Sequence, residues 1–259
     1  MENNVTAPAN PAASGQEFSP GEKYARRLPS GRPFFPACEK YRPQPRPMEG
    51  SCSDTLPATM PWTHPAKIAF IGSHSVRKTN AVHAFASTIG RAGRSVEVGR
   101  EVIRFNPLGL NEGATPEAQL WVLMAQIQQE LELRKRAEVL VTDRSVVDNF
   151  AYFLRVTDGA DPFAVEPLIR HWATTYDLFV RLLPDVALQP DGVRSTSNAF
   201  RDEIEAILDR IIPTYIPGER LLVVNASDVT ESFDWWTVAE RLAELVGEPL
   251  HAAAATPAG

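Results

Sequence analysis

Ile68-Ala69-Phe70-Ile71 is a short apolar run that stops at Gly72, and a helical pattern resumes only a few residues later. Such a run, bounded by glycine, predicts a buried strand. Beyond the polar segment, Val82, Phe85, Ala86 and Ile89 recur at helical spacing and give one apolar face, with Gly90 and Gly93 as stop signals. Strand, polar loop and helix in that order confine the chain to α/β architectures. The same alternation continues. Strands are expected at 95–98, 138–142, 178–182 and 221–224. Helices are expected from Pro116 to about Arg136, with Leu120, Leu123, Met124, Ile127 and Leu131 inward, from Ser145 onward, where Ser145 and Asp148 have capping-box spacing, and over 163–174. A further helix carries Phe200, Ile204, Ile207, Leu208 and Ile211 and stops at Pro213, and a last one carries Trp235, Val238, Ala239, Leu242 and Leu245. Thr115-Pro116 reads as an N-cap followed by proline at the first helical position. Alternating strands and helices imply a parallel sheet covered on both faces.

Proline marks where this pattern begins. Of the 22 prolines, 12 fall in the first 65 residues, together with Cys38 and Cys52. Proline removes backbone donors and restricts its neighbours, so segments such as PSGRPFFP form neither a helix nor a central strand. The expected organisation is a Pro-rich disordered leader over 1–65, one folded domain over 66–250 and a disordered tail over 251–259. With only those cysteines, a disulfide scaffold and a core thiolate zinc site are excluded. His64, His74, His83, His171 and His251 show no ligand spacing. No apolar run approaches the roughly 20 residues of a membrane span, and no secretory signal is visible, so a cytoplasmic location is expected. The net charge is −6, and it sits beyond the leader, which argues against a nucleic-acid partner.

The segment Gly72-Ser73-His74-Ser75-Val76-Arg77-Lys78-Thr79 follows a strand and opens a helix. That is the context of a phosphate-binding loop of pattern G-x-x-x-x-G-K-[ST]. Backbone N–H groups at a helix start bind phosphate, Lys78 would reach the β- and γ-phosphates, and Thr79 would hold Mg²⁺. Arg77 stands where the pattern has its second glycine. A side chain there is expected to weaken ATP binding severely, unless it turns outward and its charge compensates. Asp143 ends the third strand, where open α/β sheets bind ligands; it could hold the metal or accept a proton from an acceptor hydroxyl. Arg144 could hold an acceptor phosphate or the transferring group. Asp191-Gly192-Val193-Arg194 with Arg201 offers two arginines for a lid, and Glu101 with Arg104 a carboxylate and a guanidinium for a polar acceptor. Gln126 belongs to a polar helix face or reaches an acceptor base.

Together, KIAFIGSHSVRKT, REVIR, NEGATPEAQLW, LVTDRSVVDNFAYF and DGVRSTSNAFRDEI resemble the P-loop ATP-binding proteins of the AAA-domain, NadR-kinase-like group, related to thymidylate and other nucleoside or nucleotide kinases. The resemblance spans about residues 66–246. It implies a P-loop NTPase three-layer sandwich with a five-stranded parallel sheet and a kinase-type lid. It implies ATP and Mg²⁺ at Lys78 and Thr79, and Asp143 near the metal or acceptor. It places Arg144, Glu101 and Arg104 on the acceptor side, Arg194 and Arg201 in the lid, and Tyr152 against the acceptor. The expected activity is phosphoryl transfer to a nucleoside, nucleotide or related small molecule. The alternatives are a degenerate or regulatory nucleotide-binding module, a bare ATPase, or a kinase of a modified base in DNA.

Overall fold

The computed structural model describes residues 65–109, 113–188 and 197–250. The expected leader and tail, apart from residue 65, and the Asp191–Arg194 lid segment lie outside the described residues.

Five strands form one parallel sheet: β1 (Ala66–Ile71), β2 (Val96–Gly99), β3 (Val139–Asp143), β4 (Leu178–Leu183) and β5 (Leu221–Asn225), in the order β2-β3-β1-β4-β5. Among the described residues, six helices cover it: α1 (Lys78–Arg91), α2 (Pro116–Leu133), α3 (Val146–Val156), α4 (Glu166–Ala173), α5 (Asn198–Tyr215) and α6 (Trp235–Val246). The central strands are buried on both faces, so they read as unbroken apolar runs. Alternate residues of β1 feed two separate cores. Ile68 and Phe70 pack with Phe85 of α1 and Trp235 of α6. Ala69 and Ile71 pack with Leu123 of α2, Phe150 of α3 and Ile204 of α5. This is the three-layer α/β arrangement expected from the sequence.

The strand order positions the site. After β1 the chain crosses to the edge, forms β2, and returns as β3 beside β1, with Phe70 in register with Asp143. The loop leaving β1 and the acidic end of β3 are therefore neighbours. Local signals hold at two helix starts. The Thr115 side chain accepts from Ala118 N–H at 3.2 Å with Pro116 at the first helical position, and Ser145 and Asp148 close a capping box on α3.

Two expectations need correction. Met124 and Leu131 of α2 are exposed, and the inward face instead carries Gln119, Gln126 and Glu130 beside Val122 and Leu123. Helix α5 does not stop at Pro213 but runs on to Tyr215. Pro213 lies so near the end that its missing N–H removes one bond of the last turn, and Ile212 O still accepts from Ile216 N–H at 2.9 Å. In addition, Val102–Phe105, inside the segment that joins β2 to α2, forms a short 3-10 turn.

Gly72, the first residue after β1, has φ +138°, and a Cβ there would lie 2.6 Å from the Leu182 carbonyl oxygen of β4. Gly72→Ala should lower stability by about 2–5 kcal/mol, measured by urea unfolding; a loss under 1 kcal/mol would show that β4 yields at this contact.

Candidate active site

Between Gly72 and Lys78 the backbone turns through two left-handed residues, Ser75 at φ 61° and Arg77 at φ 59°. Alternation of this kind gathers N–H groups into a concavity suited to an anion. Arg77 pays for its place in backbone strain of roughly 1–2 kcal/mol, because a Cβ disfavours this conformation. Its side chain is exposed and leaves the loop, with Nη1 donating to the Val229 carbonyl at 3.3 Å on the β5–α6 connection. The Lys78 side chain is buried and folds back over the loop, its ammonium donating to Gly72 O at 3.0 Å and to Ser73 O.

The next residue meets the end of β3. Thr79 Oγ1 donates to Asp143 Oδ2 at 2.6 Å. The other carboxylate oxygen, Asp143 Oδ1, is buried and has no hydrogen-bond partner among the described residues. From this pair a cavity of about 530 Å³ opens toward β2, lined by Glu101, Arg104 and His83, with the 62 % exposed ring of Phe105 also on its wall.

Arg144 does not project into that space as an open guanidinium. It is buried; Nε donates to Glu101 Oε1 at 3.0 Å and Nη1 to Asp148 Oδ2 at 3.3 Å. Burial opposes its charge, but Tyr152, Glu101, Asp148 and Asp143 outweigh that and hold its pKa well above the ordinary value. The Tyr152 ring lies 4.9 Å from the guanidinium carbon, and burial pushes the phenol pKa up. Glu101 also accepts from Arg104 Nε at 2.9 Å, so the carboxylate–guanidinium pair read from the sequence is made.

Thus the loop 72–79, Asp143, Arg144, Glu101, Arg104 and Tyr152 are brought together at the C-terminal ends of β1, β2 and β3. Arg201 is held at the start of α5: Nη1 donates to Val186 O at 2.8 Å and Nη2 to Asn198 Oδ1 at 3.2 Å, tying that helix start to the segment after β4. Arg194 lies outside the described residues. Gln126 is fully buried and donates to Glu130 at 2.8 Å and to the Arg144 carbonyl at 3.3 Å, so it braces Arg144 rather than facing the open cavity.

Sequence reading missed Asp148, Arg181 and Glu205 at this end of the sheet. Glu205 Oε1 accepts from Ser73 N–H at 3.0 Å, and Oε2 accepts from Arg181 Nη2 at 2.8 Å. One signal was present. Arg181 interrupts the apolar strand Leu-Phe-Val-Arg-Leu-Leu, and a charge inside a buried strand demands an opposite charge.

The family model described as "AAA domain" matches residues 67–225. Among solved structures, that of NadR protein in complex with NR is similar with a TM-score of 0.52 and 15% identity, over 74% of this chain and 54% of that one. This chain thus spans about half the length of the NadR chain. A thymidylate kinase from Ehrlichia chaffeensis is similar with a TM-score of 0.46 and 16% identity, over 71% and 98%. No curated protein matches the sequence significantly. At this identity the likeness to NadR is one of fold, and that fold is the kinase-like P-loop NTPase fold. Among the described residues no helix is long and apolar enough to cross a membrane.

Lys78 is also affected by this setting. Burial, and secondarily Arg144, lower its pKa from 10.5 to about 7, against the opposing pull of Asp143, Glu101 and Asp148. Between pH 7 and 10.5 the unfolded chain therefore holds a proton that the folded chain has released. The contribution of Lys78 to stability rises with pH across that window. Urea unfolding of the wild type and Lys78→Met over this range should show the difference, with the variant losing part of the upward slope; parallel curves would place the folded pKa near its ordinary value.

Proposed function

The chain belongs to the AAA-domain family, and on that premise we propose that it is an ATP-dependent phosphotransferase acting on a hydroxyl of a small, nucleoside-like acceptor. The observation that carries this reading is the Thr79–Asp143 contact, set between an anion-binding loop and a cavity lined by Glu101 and Arg104. Mg²⁺ fits here. Thr79 Oγ1 and the unpartnered Asp143 Oδ1 are hard oxygen donors, and Mg²⁺ commonly takes one or two protein ligands together with phosphate and water. The described residues contain no cluster of three or more His, Cys, Asp or Glu able to hold a metal by themselves, which suits an ion that arrives with a nucleotide. Mg-ATP, when bound, supplies the transferable phosphoryl group and neutralises its charge.

The residues of the chain then divide the work. Amides of the loop 72–79 would hold the phosphates, and the Lys78 ammonium would serve their oxygens. Thr79 and Asp143 would hold the cation, and Asp143 would accept the proton of the acceptor hydroxyl. Glu101 and Arg104 orient the acceptor, and Tyr152 acts on it through Arg144. Arg194 and Arg201 belong to the lid side. Catalysis on this plan is positioning and charge stabilisation. Two nitrogens of Arg144 are already engaged by buried carboxylates, so an acceptor phosphate would have to break those pairs. This favours a nucleoside over a nucleotide.

Arg77 bears on the second reading, a nucleotide-binding module without turnover. Severe weakening of ATP binding requires its side chain to crowd the phosphates. The outward side chain and left-handed backbone support the milder outcome, in which Arg77 strains the fold and leaves the loop open.

With γ-labelled ATP, Mg²⁺ and a panel of nucleosides, nucleotides and modified DNA, label should pass to a nucleoside. Lys78→Ala and Asp143→Asn should each reduce the rate by at least about 100-fold. Phosphate release without any acceptor would point to an ATPase, and absence of transfer in both the wild type and Arg77→Gly would leave the binding module. Arg77→Gly should stabilise the fold by about 1–2 kcal/mol and change ATP affinity by less than about threefold; a much larger gain in affinity would show that Arg77 obstructs the phosphates.

A further inference from the structure

An amide at the start of the loop 72–79 is held by a side chain 132 positions away in the sequence. Glu205, in the second turn of α5, accepts from Ser73 N–H at 3.0 Å through Oε1. Its other oxygen accepts from Arg181 Nη2 at 2.8 Å. Arg181 stands on β4 in register with Ile71, the last residue of β1, and its Nη2 also pairs with Asp209 Oδ1 at 2.7 Å, one helical turn beyond Glu205. The Glu205–Arg181 pair is largely screened from water, with side chains 13% and 10% exposed. A charged acceptor on an amide in such a place is worth more than an exposed pair. Here it joins β4, α5 and the residue next to Gly72, which is itself pressed against Leu182 O.

We propose that Glu205 is a positioning residue of the phosphate loop. Held by Arg181, it fixes the Ser73 amide and so sets the course of the loop as it leaves β1, and it fastens the loop to α5, the helix that also carries Arg201. The claim rests on the loop being a nucleotide phosphate site, as proposed above, but the contact can be tested without nucleotide.

Hydrogen–deuterium exchange of the full chain, free of nucleotide, reads the clamp. Glu205→Ala should speed exchange in the peptide containing residues 72–77 by about tenfold and leave β3 and α6 protected as in the wild type. Arg181→Met should do the same, and the double variant should add little, because both single changes remove one linked interaction. Glu205→Gln keeps one acceptor for two donors and should fall between wild type and Glu205→Ala. Where the wild type binds Mg-ATP, Glu205→Ala should raise its Kd by about tenfold, with Glu205→Gln again intermediate. Unchanged exchange over 72–77 would overturn the proposal. So would tighter Mg-ATP binding in Glu205→Ala, which would make Glu205 a competing anion. Failure of the wild type to bind ATP would overturn the nucleotide reading while the exchange result still judged the clamp. Global loss of protection in Glu205→Ala, with a normal loop in the folded Glu205→Gln, would make the contact a feature of stability alone and would also overturn the proposal.

Discussion

The burial of the Arg144 guanidinium constrains everything around it. A cation with 4% of its surface exposed persists only when anions and hydrogen-bond acceptors surround it. Those partners come from separate elements: Glu101 follows β2, and Asp148 lies in the first turn of α3. The backbone of Arg144 is itself unusual, at φ 89°, and is held from both sides. Its N–H donates to Phe70 O at 3.1 Å, and its carbonyl accepts from Gln126. Strain of this kind survives where the surroundings over-determine it. The same cation is the second cause of the low pKa of Lys78, so one buried charge both joins the elements and tunes the loop lysine.

Gln126 links this end of the sheet to a second buried network. Glu130 accepts from Gln126, from Tyr176 Oη at 2.5 Å, from Trp172 Nε1 at 2.7 Å and from Lys67 Nζ at 2.8 Å. Lys67 Nζ also sits 3.7 Å from the Tyr176 ring centroid, so the charge pair is enclosed by aromatic surface. This network decides the orientation of α2. An apolar count favours turning Met124 and Leu131 inward. Turning Glu130 outward instead would strand Lys67 in the core, and an unpaired buried charge costs more than two exposed apolar side chains recover.

Legibility in the sequence followed the range of the interaction. The strands, the loop 72–79, the Asp143 strand end and the caps at Thr115 and Ser145 depend on residues within a few positions of one another, and each left a local pattern. The pairing of Glu101 with Arg104 was visible for the same reason. Glu205 and Ser73 are 132 positions apart, and no local pattern connects them. Asp148 could be read from spacing as a capping residue but not as an Arg144 partner. Gln126 looked like a polar face because periodicity cannot separate a solvent-facing amide from one that spans a buried network. Pro213 misled for a different reason: a breaking residue in the last turn forfeits little.

Two positions of the loop 72–79, Gly72 and Arg77, also differ in what they require of their residue. At Gly72 the backbone lies at φ +138° and a Cβ would meet the main chain of β4. A neighbouring strand cannot move aside for a side chain, so glycine is a steric necessity there. At Arg77 the backbone is at φ 59°, ψ 22°, a left-handed conformation that an L residue enters at modest cost. The side chain has an exit toward Val229 O. With Gly72 braced by β4, Ser73 by Glu205 and Lys78 folded over their carbonyls, the start of the loop is fixed independently of residue 77. Arginine is therefore accommodated at position 77 through a left-handed backbone, with its side chain directed away from the loop.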